Sequence, residues 1–347
     1  MSDTVQLFEA TPDNPAPDGI MAGLLPAGTQ SLRFAIVPAR GPAPPRGTIL
    51  LLQGRNEAAE KYFETMVDLS ARGFTVATFD WRGQGRSGRL AGWRRVGHVR
   101  GMKVFADDLA LFVNEVLRVQ CPPPYAALAH SMGGTVALAA MDRIEPAMER
   151  LVCLGPLVGF PGPPGAIRSF SALAALLHWT GLGTLPLRQA RTAGRGTTLA
   201  DNSLTSDPRR FARNRQMVET TPDLFVRALS ASWLHAMARA MRRLDRSDAI
   251  ARMRLPTLIV TAGADRVVSS RAAARLAWRM RCGHHLAVPG ARHELLQEAD
   301  AFREPVLDAI ETFFASALPR LPETAQAEAL PPIDFSPIEK AAAGIAG

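Results

Sequence analysis

The sequence predicts an α/β fold, in which helices on both sides flank a mostly parallel central sheet and a helical cap is inserted in the chain. Three observations carry this. Short, wholly apolar runs recur along the chain with helix-length segments between them, the pattern of strands buried on both faces. The alternation breaks once, between residues 161 and 248. Within the alternating part, one apolar strand turns sharply into a helix of small residues at Ser131.

Residues 1–30 read as an N-terminal extension, and residues 31–160 as the first part of the α/β core. Thr48-Ile-Leu-Leu-Leu52 is the first buried strand and ends at Gln53-Gly54; Phe74 to Phe79 is the next and ends at Asp80. Residues 58–72 between them have the polarity and length of a helix. A second helix, 101–118, leads to the strand Tyr125 to Ala129, and Leu151 to Leu154 supplies another. The Pro/Gly-rich stretch from Phe160 to Gly165 then opens the insertion, 161–248, read as a helical cap over the mouth of the sheet. The core resumes over 249–318 with strands Thr257 to Thr261 and His285 to Val288. From Pro319 to 347 the chain is rich in Ala, Pro and Glu, the composition of a loosely ordered tail.

At 347 residues and 47% hydrophobic content, the chain can bury a full core within one elaborated domain. Its three cysteines, at 121, 153 and 282, have neither paired nor ligand-like spacing, which argues against a disulfide scaffold or zinc site and fits a reducing compartment. The first residues carry acids where a secretory signal needs basic and then apolar ones, and no apolar run is long enough to cross a bilayer. A cytoplasmic protein is expected. The net charge of +8 comes with arginine clusters at Arg82 to Arg100, at Arg209 to Arg215 and at Arg239 to Arg246. These suit either an ordinary solvated surface or a transient contact with an anionic membrane or headgroup. Nucleic acid is not expected, because no recognition motif or aromatic platform accompanies them. Oligomeric state is left open.

Ser131 sits where a nucleophile needs to be, at the head of a helix, with Ala129, Gly133 and Gly134 keeping bulk away from the turn. A serine hydroxyl requires an imidazole to take its proton and a carboxylate to orient that imidazole. Asp265, just beyond the strand 257–261, is the candidate acid, and His293, after the Pro289-Gly290 turn, is the candidate base. Asp80 precedes the serine in a glycine-rich loop and reads as a brace, while His130 reads as a packing residue beneath the site. The remaining histidines, 98, 178, 235, 284 and 285, read as packing or surface residues. The Met132 amide and the Arg55 amide are the candidate oxyanion hole. Leu177, Trp179 and Trp233 are candidates for lining an acyl channel, or for simply holding the cap to the sheet. Gly83, Gly85 and Gly88 spell a dinucleotide-like string, but Trp81 and Arg82 separate it from its strand and Arg86 interrupts it. No metal or organic cofactor is implied.

The segments Gln53 to Glu57 with Lys61-Tyr62, Asp80 to Arg89, His130 to Gly134, Gly263 to Val267 and Gly290 to His293 resemble the α/β-hydrolase superfamily. Within it, they are similar to the lysophospholipase L2 and monoacylglycerol lipase group, the serine aminopeptidase S33-like hydrolases. Asn202 to Phe211 and Trp233 extend the likeness into the cap, and together the segments span roughly residues 30 to 317. The resemblance implies Ser131 as nucleophile, Asp265 as acid and His293 as base. It implies hydrolysis of a monoacyl lipid ester, with a lysophospholipid as the leading substrate. A monoacylglycerol, a small ester and an amide remain alternatives, as does a non-catalytic interaction protein on the same scaffold. Two positions depart from the family: Ala129 stands where glycine is usual, and Gln53 where many monoacylglycerol lipases have histidine.

Overall fold

Eight strands hydrogen-bond side by side, and their residue types explain their places. In the computed structural model the described residues are 7–89, 96–187, 198–226, 228–246 and 248–315, with the backbone alone for 164–168 and 170. The expected tail, Arg94 and Arg95 lie outside them. The strands are β1 (Met21–Ala27), β2 (Gln30–Val37), β3 (Thr48–Leu52), β4 (Thr75–Phe79), β5 (Tyr125–His130), β6 (Arg150–Leu154), β7 (Thr257–Ala262) and β8 (Gly283–Val288). They lie in the order β1-β2-β4-β3-β5-β6-β7-β8. From β4 to β8 every neighbouring pair is parallel, while β1–β2 and β2–β4 are antiparallel. All residues of β3, β4, β6 and β7 are buried, which is why apolar residues dominate these strands.

The edge hairpin corrects the expected boundary of an extension at residue 30. Met21–Ala27 belongs to the sheet, pairing from Met21↔Ile36 to Ala27↔Gln30 around Gly28, whose φ is 70°. Strand β1 escapes a search for strands because Gly23 and Pro26, residues that disfavour strand interiors, interrupt it. Gly23 lies opposite Phe34, and a Cβ there would fall 2.5 Å from the Phe34 ring. That ring in turn packs edge-on against Phe112 in the core.

Helices α1 (Phe63–Ala71), α2 (Met102–Phe112) and α3 (Met132–Ala139) follow β3, β4 and β5. The insertion between β6 and β7 contains α4 (Pro164–Leu177), α5 (Pro208–Thr220) and α6 (Ala231–Arg246); α7 (Ser270–Arg279) and α8 (Asp300–Ala315) complete the core. The insertion is not wholly helical: Pro186–Leu187 and Ala228–Ser230 form a small ribbon with Val96–Gly97. Among the described residues no helix is long and apolar enough to cross a membrane.

Candidate active site

The chain reverses abruptly at the end of β5. Ser131 has φ 50° and ψ −113°, a left-handed conformation costing about 1–3 kcal/mol for a residue with a side chain, and it caps α3. Hydrogen bonds from its own amide to the Leu154 carbonyl (3.0 Å) and from the Leu157 amide to its carbonyl (3.1 Å) hold it there. Gly133 is indispensable to this turn, because a Cβ would lie 2.5 Å from the Leu52 carbonyl oxygen and 2.6 Å from that of Gln53. Ala129, fully buried, has its methyl accommodated.

Two loops bring the other candidate groups to the serine. His293 Nε2 lies 3.1 Å from Ser131 Oγ, and its Nδ1 lies 2.7 Å from Asp265 Oδ2. The carboxylate can only accept, so Nδ1 carries the ring proton and Nε2 is free to accept the serine's. The Val267 and Val268 amides fix Asp265 through Oδ1, at 2.7 and 2.9 Å. Burial opposes the charge on Asp265, but the His293 hydrogen bond and those two amides outweigh it and hold the carboxyl below its ordinary range. Gly155, at φ 48°, keeps room for this pair: a Cβ there would sit 3.3 Å from His293 Nδ1.

His130 lies beneath, as its position in the sequence predicts. Its Nδ1 meets the Leu154 carbonyl at 3.2 Å, and its ring centroid is 4.8 Å from that of His293. Burial lowers it to about 4 despite nearby Glu57, so the ring is neutral at pH 7. Asp80 is the brace expected of it. It accepts from Arg33 Nε (2.7 Å), from Gln53 Nε2 (3.2 Å) and from the Ala59 and Arg86 amides. Gln53 thus serves the loop scaffold rather than the reacting centre.

Sequence reasoning missed a buried charge network beside the site. Lys61 Nζ is clamped between Glu57 Oε1 (2.7 Å) and Glu294 Oε1 (2.6 Å), and the Tyr62 hydroxyl donates to Glu57 Oε2 at 2.6 Å. Burial works against the charge on Glu57, but Lys61, His130 and the Tyr62 hydroxyl hold it at about 2. The i,i+4 spacing of Glu57 and Lys61 was the available signal, and it looks the same on a solvated helix.

A cavity of about 370 Å³ opens over Ser131, lined on one side by Phe211, Met217, Val218 and Phe225. Leu177, Trp179 and Trp233 are not among its lining residues, which corrects the expected acyl channel. Trp179 is 71% exposed, Leu177 half-buried and Trp233 packed in the core. The reason lies in the insertion: Asn202 to Thr205 and α5 form the near wall, whereas α6 packs down on α3. Of the candidate oxyanion amides, Met132 N–H and Arg55 N–H donate to no acceptor among the described residues, although the Gly54 and Asn56 amides on either side of Arg55 are engaged by Glu57 and Gln84.

A family model described as serine aminopeptidase, S33, matches residues 43–300, most of the chain. The chain belongs to this α/β-hydrolase family. Lysophospholipase L2 of Escherichia coli (strain K12) is 32% identical over 284 residues, covering 77% of this chain and 79% of that one. Monoacylglycerol lipase of Mycolicibacterium smegmatis is 28% identical over 278 residues, covering 79% and 90%. A soluble variant of monoglyceride lipase from Saccharomyces cerevisiae, solved with a substrate analog, shares the fold with a TM-score of 0.71 at 20% identity, over 84% of this chain and 94% of that one. With these lysophospholipase and monoacylglycerol lipase relatives, the chain is a carboxylic ester hydrolase.

Proposed function

We propose that this hydrolase cleaves the ester of a monoacyl lipid, with a lysophospholipid as its substrate, through an acyl-enzyme on Ser131. The observation that carries the reading is the unbroken line from Ser131 Oγ through His293 to Asp265. In the proposed first step Ser131 Oγ attacks the ester carbonyl while His293 Nε2 takes its proton, and Asp265 steadies the resulting imidazolium. The Arg55 and Met132 amides, free of other acceptors among the described residues, receive the charge on the carbonyl oxygen. His293 then gives its proton to the departing alcohol. A water entering the same place loses a proton to His293, attacks the acyl carbon, and frees the fatty acid and the serine.

The choice of lysophospholipid is supported by the likeness to lysophospholipase L2 and by basic side chains in the cavity lining. The apolar side of the cavity and the likeness to monoacylglycerol lipases favour a monoacylglycerol as the second reading. Labelling with a fluorophosphonate tests the chemistry. The native chain should label and Ser131→Ala should not, with hydrolysis falling by about four orders of magnitude or more. A folded native chain that takes no label would favour a non-catalytic scaffold. Equal turnover of a short nitrophenyl ester, or preference for an aminoacyl amide, would replace the lipid reading with a small-ester or amidase one.

A further inference from the structure

Four basic side chains line the cavity over Ser131: Arg55, Lys61, Arg215 and Arg266. Two are already neutralised. Lys61 is clamped between Glu57 and Glu294, and Arg215 Nε pairs with Glu219 at 3.0 Å. Arg266 is exposed, with no ion pair among the described residues. Arg55 is different. Its Nη1 is sealed from solvent and has no hydrogen-bond partner, and none of its guanidinium nitrogens donates to an acceptor among the described residues.

A guanidinium nitrogen sealed from water with no acceptor among the described residues is costly, and the neighbouring Glu57 carboxylate does not relieve it. Glu57 engages Lys61 through Oε1, and the Tyr62 hydroxyl and Gly54 amide through Oε2. Burial accordingly lowers Arg55 to about 10 against the pull of Glu57, still charged at pH 7. A fold that keeps such a group in the lining of its cavity presents a receptor for an oxyanion. Guanidinium forks match phosphate oxygens in pairs, which a lysine cannot do.

We propose that the Arg55 side chain binds the phosphate of the substrate headgroup, so that one residue serves both the reacting carbonyl, through its amide, and the anion, through its guanidinium. This rests on the lipid-ester reading above and narrows it to phosphate-bearing esters. The ester carbon and the phosphorus of a 1-acyl lysophospholipid are separated by as many covalent bonds as the amide nitrogen and guanidinium carbon of an arginine. An extended glycerol phosphate therefore suits the span. A monoacylglycerol offers the guanidinium no anion and leaves the sealed Nη1 uncompensated.

The test compares kcat/KM for a lysophosphatidylethanolamine and a monoacylglycerol of the same acyl chain, in the full chain and in Arg55→Gln and Arg55→Met. The ratio of lysophospholipid to monoacylglycerol should fall about tenfold or more in both variants, chiefly through KM, the factor that losing one charge-assisted hydrogen bond is worth. Arg55→Met keeps the apolar stem and removes the sealed nitrogen that lacks an acceptor among the described residues, so its Tm should equal or exceed that of the native chain. A lowered Tm with an unchanged ratio would mark Arg55 as structural and overturn the proposal. Native protein that hydrolyses the monoacylglycerol but not the lysophospholipid would overturn it too, while leaving the esterase reading intact.

Calorimetry with inorganic phosphate and with glycerophosphoethanolamine separates the two readings. If the native chain neither labels nor hydrolyses, yet binds the phosphodiester and loses it in Arg55→Met, the anion site stands and the esterase fails. Binding of inorganic phosphate alone points to free phosphate and overturns the headgroup assignment.

Discussion

A methyl group at position 133 has no room, because the carbonyl ends of β3 lie within 2.6 Å of where it would be. Backbone oxygens at a strand end cannot swing aside as a side chain can, so Gly133→Ala must displace either α3 or Ser131. We expect it to lower stability by about 3 kcal/mol and to abolish fluorophosphonate labelling. Denaturant melts alongside labelling check both, and a fully labelled variant of native stability would contradict the tight-turn account. The same turn shows why Ser131, Asp265 and His293 were legible in the sequence: each follows a strand of the parallel sheet, the first two buried and the last, β8, a partly exposed edge, in an order that only this topology makes sensible. Glu57, Lys61 and Glu294 were not legible, because nothing in a sequence distinguishes a charged residue in solvent from one clamped in the interior. Gly155 was overlooked for a similar reason. Its need is set by a histidine and an aspartate more than a hundred positions away.

Helix α5 is fastened to the core by its buried face. Arg210 bonds Glu64 on α1 through Nε (3.0 Å) and Nη2 (2.7 Å), and Arg213 Nη1 adds a third contact at 2.7 Å. Asp207 caps the helix by accepting from the Arg210 amide. The sequence presents these arginines as part of a basic cluster, whereas the fold uses them as a clasp for the wall of the cavity. Glu64→Ala would leave Arg210 to Asp207 and Asp300 and Arg213 to Gln297, each largely buried guanidinium losing a charged partner, and we expect it to cost about 2 kcal/mol and to raise KM. The matching truncation Arg72→Ala, on an exposed network with Glu304, Asp308 and Glu311, should cost under about 1 kcal/mol. Urea titration of both variants decides this; equal losses would show that the clasp is no stronger than a surface pair. The apolar stripes on α4 and α6 illustrate the limit of pattern reading: spacing identifies a buried face but does not name what lies against it.

Across the whole molecule, acid should destabilise this protein over two successive pH ranges. His130 falls from 6.5 to about 4 on folding, so the unfolded chain binds its proton first, and this stabilisation is present above pH 6.5 and lost as the pH drops toward 4. The shift corresponds to on the order of 3 kcal/mol. Glu57 and Glu64 fall from 4.5 to about 2, so their contributions are present above pH 4.5 and disappear between there and pH 2. Chemical denaturation from pH 7 to 4 should show falling stability, and His130→Asn should flatten that slope. An unchanged slope would mean that the ring is not held neutral. The arrangement of charge also differs from its reading in the sequence: Arg33, which no cluster singled out, lies wholly buried between Glu60 and Asp80. Arg239, Arg242, Arg243 and Arg246 remain exposed along α6.

The sequence by itself determined the parallel sheet, the place of the insertion and the three side chains that meet over it. Those features follow from local patterns, apolar runs buried on both faces and turns built of small residues, which the chain carries wherever it folds. Only the tertiary structure decided which residues line the cavity, which arginines are neutralised, and that the guanidinium of Arg55 has no hydrogen-bond acceptor among the described residues. Such properties depend on distances between segments remote in the chain, and a charge acquires its meaning from what burial places beside it.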